Sequence, residues 1–123
     1  MNFTRHSLKG LGVAMVTPFQ QDGKVDYPAL QRLVDHLHAG GVDFLVALGT
    51  TAETATLSVE ERRRVLDFVL EVNAGRLPVV AGVTGNNTLA LCEEMTQWDW
   101  SGLAGCLSAT PAYHKPSQEG LVR

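Results

Sequence analysis

Phe44-Leu45-Val46-Ala47-Leu48-Gly49-Thr50-Thr51-Ala52-Glu53-Thr54-Ala55-Thr56-Leu57-Ser58-Val59-Glu60-Glu61 is the stretch on which the fold turns. Phe44 to Leu48 is a short apolar run of the kind that makes a buried strand. Ser58 followed by Glu61 is a capping box, the signal that a helix begins. Adjacent hydroxyls, Thr50 and Thr51, therefore sit just past the C-terminal end of a strand and ahead of a helix. In parallel α/β folds that rim is where substrates bind. Bare amides and threonine hydroxyls there suit a small carboxylate held by neutral hydrogen bonds.

The same beat runs outward in both directions. A strand is predicted over residues 12–16, stopped by Pro18, which cannot donate to a ladder. Asp26 caps the next helix, with Pro28 in its first turn. Leu30, Leu33, Val34 and Leu37 recur at helical spacing, and Gly40-Gly41 closes the helix. The second helix runs from about Val59 to Val72, with Val65, Leu66, Val69 and Leu70 as its buried stripe. Arg62, Arg63 and Arg64 read as a solvated face beside Glu60 and Glu61 rather than a phosphate site. Gly75 ends that helix. Pro78 opens a third strand, 79–83. Gly82 and Gly85 are a weak phosphate-loop signal, since no Walker lysine follows, and a tight turn with a helix cap is expected instead. A third helix spans Thr88 to Asp99, a fourth strand 105–108, and Ser117 can cap a fourth helix.

Every predicted strand is almost wholly apolar, the mark of strands covered on both faces. Helix-sized segments separate them, as right-handed βαβ units require. Two architectures fit: an open doubly wound sheet and a piece of a (β/α) barrel. The lack of GxGxxG after the first strand lowers the dinucleotide-binding version of the former.

Composition bounds the partners. The chain has 123 residues, 45% hydrophobic and 19% charged, with a formal net charge of −3. This is a packed single domain with no basic footprint for nucleic acid. No apolar stretch approaches the ~20 residues of a membrane span. The N-terminus, Met1 to Lys9, has no signal-peptide core, so a reducing cytoplasm is the expected location. Cys92 and Cys106 belong to no CxxC pair and read as small buried residues, with no metal or cofactor expected. His6, His36 and His38 read as surface residues.

Two segments resemble a known family. Gly49-Thr50-Thr51-Ala52-Glu53 with Ala55-Thr56-Leu57-Ser58 is similar to the G-T-T-G-E…A-T-L-S signature of the dihydrodipicolinate synthase family. Thr110-Pro111-Ala112-Tyr113-His114-Lys115-Pro116-Ser117-Gln118-Glu119-Gly120 resembles its T-P-Y-Y-N-K-P-S-Q-E-G. Weaker agreement runs through Val16-Thr17-Pro18-Phe19, Gly75-Arg76-Leu77-Pro78-Val79 and Gly85-Asn86-Asn87-Thr88. The first motif is shared with N-acetylneuraminate lyase and sugar-acid aldolases; the second points more narrowly to the synthase.

The resemblance implies the N-terminal half of a (β/α)8 TIM barrel, about four βα units filling residues 1–123. It implies a class I aldolase that joins pyruvate to aspartate-semialdehyde through a lysine Schiff base, on the way to diaminopimelate and lysine. Thr50 and Tyr113 then stand at proton-relay positions, Tyr113 lent by a neighbouring subunit, and Thr51 at the pyruvate carboxylate. A homo-oligomer, a tetramer built as a dimer of dimers, goes with it. A hydroxyl that donates and accepts at once is what a relay needs. Threonine also commonly bonds nearby backbone, and Tyr113 also fits a loop or subunit anchor. Glu53 reads as a structural carboxylate bonding loop amides. His114 stands where the family often has asparagine and receives no catalytic role.

The family's Schiff-base lysine falls beyond Arg123. A TIM barrel typically takes about 250 residues. Lys9, Lys24 and Lys115 read as tail, turn and loop residues, and none as a lysine desolvated inside a barrel. The expectation is a fragment that is inactive alone and self-associates through unpaired sheet edges. Ala52 replaces a glycine; were φ positive there, alanine would cost roughly 1 kcal/mol. Ala112 replaces a tyrosine, and Ala90 aligns with the glutamate of the lysine-regulated members' inhibitor site, which speaks against feedback. The competing readings are the same half of a sugar-acid aldolase, and a half-barrel assembly or regulatory subunit without chemistry.

Overall fold

The computed structural model describes residues 8–122. Among them β1 (Gly12–Ala14), β2 (Phe44–Ala47), β3 (Val79–Val83) and β4 (Gly105–Ser108) form one sheet in the order β1-β2-β3-β4, all parallel. Helices α1 (Tyr27–Ala39), α2 (Val59–Asn73) and α3 (Thr88–Thr96) fill the crossovers. A doubly wound sheet reverses its strand order at a switch point, whereas a (β/α) barrel adds each strand beside the last. The sequential order is that of the barrel.

Local signals place the helices as expected. Asp26 Oδ1 accepts from the Ala29 amide at 2.9 Å, with Pro28 in the first turn of α1. Ser58 and Glu61 close the capping box of α2 reciprocally, at 3.1 and 2.8 Å. Leu30 and Val34 of α1 and Val65, Leu66 and Val69 of α2 are buried, joining Leu45, Val79 and Ala81 in one core. Full burial of a Leu or Val side chain stabilises by about 1.5–3 kcal/mol. An edge-to-face contact between Tyr27 and Phe68, 5.0 Å between ring centres, packs α1 against α2.

Some expectations are corrected. β1 stops at Ala14, although the Met15 amide still donates to the Val46 carbonyl at 2.9 Å. β2 stops at Ala47 because Leu48 turns to φ 57°. α2 ends at Asn73, one residue beyond the expected Val72, and Gly75 closes it as expected, after Ala74, both at positive φ. α3 ends at Thr96; Asp99 instead caps a 3-10 turn, Trp100–Gly102. The Ser117 hydroxyl does accept from the Gly120 amide, at 3.1 Å, but residues 118–122 form turns and not a helix. Two-sided burial holds for β3, buried at every residue, and fails for β4, which is exposed from Cys106 to Ser108. β4 has a partner on one edge only among the described residues. Cys106, on that outer strand, is exposed rather than buried, and Cys92 on α3 is exposed too. His36 and His38 are exposed as expected; His6 lies outside the described residues.

Candidate functional site

The hydroxyl turn begins with a close approach between strands. Leu48 is buried in a left-handed conformation, and its carbonyl is pressed against β3 at Gly82. A Cβ on Gly82 would overlap that carbonyl and stand 2.7 Å from the Gly49 nitrogen. Gly82 is therefore a strand residue that admits a neighbouring backbone, not part of a phosphate loop. From Gly49 the chain makes two 3-10 turns, Thr50–Ala52 and Thr54–Thr56, joined by Glu53 at φ 56°. Positive φ falls on Glu53 and not on Ala52, which is buried at ordinary dihedrals, so the strain expected at Ala52 is absent.

Of the threonines in this turn, Thr56 bonds backbone, donating to the Glu53 carbonyl at 2.9 Å. The hydroxyls of Thr50 and Thr51 have no hydrogen-bond partner among the described residues, and both residues are exposed. Among the described residues the Glu53 carboxylate bonds no loop amide, contrary to expectation. Its backbone makes the turn's bonds instead.

Thr50 lines a cavity of about 500 Å³ together with Thr54, Asn86, Asn87, Ala90 and Glu94. Arg62 lies in the same wall. Its Nε and Nη2 donate to the two Glu94 carboxylate oxygens at 2.8 and 2.6 Å, and its Nη1 to the Leu57 carbonyl at 3.0 Å. The Glu94 side chain is 8% exposed and that of Arg62 22%. Hydrogen bonding to Glu94 holds the Arg62 pKa above its ordinary value against the opposing effect of burial. The reading of Arg62 as a solvated residue is thus corrected; Arg63, exposed and 3.9 Å from Asp67, does fit it. The missed signal was spacing. Arg62 precedes Val65, Leu66 and Val69, and Glu94 lies between Leu91 and Trp98, each on its helix's apolar stripe.

The second motif reaches the same end of the sheet. Thr50 follows the C-terminal end of β2 and Tyr113 that of β4, and the strands are parallel. Asn86 Oδ1, in the loop after β3, accepts from the Ala112 amide at 2.8 Å and ties the two loops together. Tyr113 does not line the Thr50 cavity. It stands at φ 71°, 92% exposed, with the His114 ring 5.7 Å away. A smaller cavity of about 360 Å³, bounded by Thr110, Pro111 and Pro116, shares Gly85 and Leu91 with the first. Lys24 pairs with Asp22 at 3.1 Å in an exposed turn, and Lys9 and Lys115 are exposed.

Strands added in sequence, with unbonded hydroxyls at their C-terminal rim, define the class: one sector of a (β/α)8 enzyme fold. The dihydrodipicolinate synthetase family profile matches residues 7–123, and the chain belongs to that family. It is 50% identical over 114 residues to the 4-hydroxy-tetrahydrodipicolinate synthase of Flavobacterium psychrophilum, covering 93% of this chain and 39% of that protein. It is 48% identical over 117 residues to that of Parabacteroides distasonis, covering 95% and 39%. The crystal structure of dihydrodipicolinate synthase from Aquifex aeolicus superposes with a TM-score of 0.85 at 38% identity, over 93% of this chain and 39% of that one. N-acetylneuraminate lyase from Mycoplasma synoviae superposes with 0.84 at 31%, over 93% and 40%. The chain thus spans about two-fifths of the length of these relatives, the share of a TIM barrel that its strands and helices would fill.

Proposed function

We propose that this chain is the N-terminal portion, residues 1–123, of a class I aldolase subunit of the 4-hydroxy-tetrahydrodipicolinate synthase type. Its substrates are pyruvate and aspartate-semialdehyde. Thr51 donates to the pyruvate carboxylate. Thr50 passes protons to and from the reacting centre, with Tyr113 as the other relay group in a homo-oligomer. The Schiff-base lysine comes from sequence outside this chain. Lys9, Lys24 and Lys115 are all exposed, whereas a lysine nucleophile of this kind is desolvated in an apolar pocket. The 123 residues alone therefore perform no condensation. The observation that carries this reading is the pair of adjacent hydroxyls, Thr50 and Thr51, at the strand rim without partners among the described residues. Donors free before substrate arrives cost no internal bond when they engage it.

Ala90 in the cavity wall, with Ala112 in the second motif, supports a protein without lysine feedback. The likeness to N-acetylneuraminate lyase keeps a sugar-acid aldolase as the second reading. One chimera tests both, with residues 8–122 replacing the matching segment of the Flavobacterium psychrophilum synthase. Condensation of pyruvate with aspartate-semialdehyde is expected, slowed about 10²-fold or more by Thr50→Val. A folded chimera that cleaves N-acetylneuraminate and leaves aspartate-semialdehyde untouched would favour the second reading. One inert toward both would favour a non-catalytic half-barrel.

A further inference from the structure

We propose that Arg62 is a positioning residue that sets the hydroxyl turn against the Tyr113 loop; its catalytic relevance rests on the function proposed above. Short 3-10 runs are weak by themselves. The turn carrying Thr50 is closed by single backbone bonds, among them Glu53 N–H to the Thr50 carbonyl at 3.1 Å and Leu57 N–H to the Thr54 carbonyl at 3.2 Å. Its near end is pinned by Leu48 against Gly82. Its far end, the Leu57 carbonyl, is held by Arg62 Nη1 at 3.0 Å.

The rest of the guanidinium is committed to Glu94 of α3 in a two-bond fork. A planar fork fixes orientation as well as distance, which a lysine ammonium does not. The loop leading into α3 contains Asn86, whose side chain holds the Ala112 amide beside Tyr113. One guanidinium therefore joins the turn of Thr50 to the helix whose leading loop carries the Tyr113 segment. Glu94 is nearly fully buried, so removing Arg62 alone strands a charge and destabilises for reasons unrelated to positioning. The double variant Arg62→Met/Glu94→Met removes both charges together. It restores an apolar wall and leaves the Leu57 carbonyl without its donor.

Two readouts test this. In the chimera, pyruvate trapped by borohydride counts the competent sites, so kcat is taken per trapped site. The double variant is expected to recover most of the melting temperature lost in Arg62→Met while its kcat per site stays at least about tenfold down. Arg62→Lys is expected to be similarly impaired per site. In the 123-residue chain, hydrogen exchange at the Glu53 and Leu57 amides should accelerate about tenfold in the double variant, with the α1 amides unchanged. Parental exchange at Glu53 and Leu57 would overturn the proposal, as would parental kcat per site in the double variant. Should the parent chimera show no condensation, the proposed function fails, and exchange alone decides whether Arg62 holds the turn.

Discussion

The Leu48 carbonyl occupies the space into which any side chain at Gly82 would project. Two central strands approach at that point with no room for a Cβ, and the hydroxyl turn starts one residue later. Gly82→Ala forces the Leu48–Gly49 peptide off β3. Backbone cannot rotate aside as a flexible side chain can, so the substitution should destabilise by about 1–3 kcal/mol or more. The urea midpoint of the chimera measures it. A midpoint within error of the parent would mean that the strands part without loss.

Thr50→Val keeps the volume of the side chain and deletes its hydroxyl. A relay group acts chiefly in the transition state, so kcat in the chimera should fall by about 10²-fold or more. KM for pyruvate should change far less, because the proposed function gives the carboxylate to Thr51. An effect mainly on KM would reassign Thr50 to substrate binding.

Purified as 123 residues, the chain should gain no mass from pyruvate and borohydride. Each of its lysines is exposed or paired in a turn. A stable adduct would contradict this, and peptide mapping would then begin at Lys115.

How far the sequence discloses this molecule depends on how local each signal is. The capping box at Ser58 and Glu61, the Asp26 cap and the apolar run from Phe44 are local, and each forms where expected. The rim position of Thr50 follows from strand order and parallel direction alone. Arg62 and Glu94 are different, because their partnership spans 32 residues and two helices. Their places on apolar stripes hint at burial, and only the fold supplies the partner. The exposure of β4 and Cys106 is equally invisible in composition, since an apolar strand reads the same whether or not a neighbour covers it. The absence of strain at Ala52 was decided one residue on, where Glu53 takes up the positive φ.

Acid should loosen the 3-10 turn after α3 before it unfolds the core. The Ser101 hydroxyl and amide, bonded to Asp99 at 2.6 and 2.9 Å, hold its carboxyl below the ordinary pKa. A depressed carboxyl binds its proton less tightly folded than unfolded. Its contribution is therefore complete above the unfolded pKa and lost as pH falls through the folded one. Trp100 fluorescence followed from pH 6 to below the carboxylate range should show a step that Asp99→Asn removes. A step that survives the substitution belongs to another group.

The free edges of β1 and β4 should recruit other chains. Leu11, Val16 and Leu107 are 61, 50 and 54% exposed, and neither outer strand has a second neighbour among the described residues. Edges of this kind template further pairing. Light scattering at micromolar concentration should report self-association of the 123-residue chain. A compact monomer with a cooperative melt would contradict this and favour the non-catalytic half-barrel.

The open thiol on β4 gives this architecture a chemical clock. Cys106 pairs in register with Ala81, which is fully buried, yet is itself exposed. A strand laid along the outer edge of β4, with the helix that accompanies it, would shield the thiol. Cys92 on α3 is exposed as well and is labelled alongside it. The rate of maleimide labelling at Cys106 would then report whether a further strand has docked, with no cysteine introduced for the purpose.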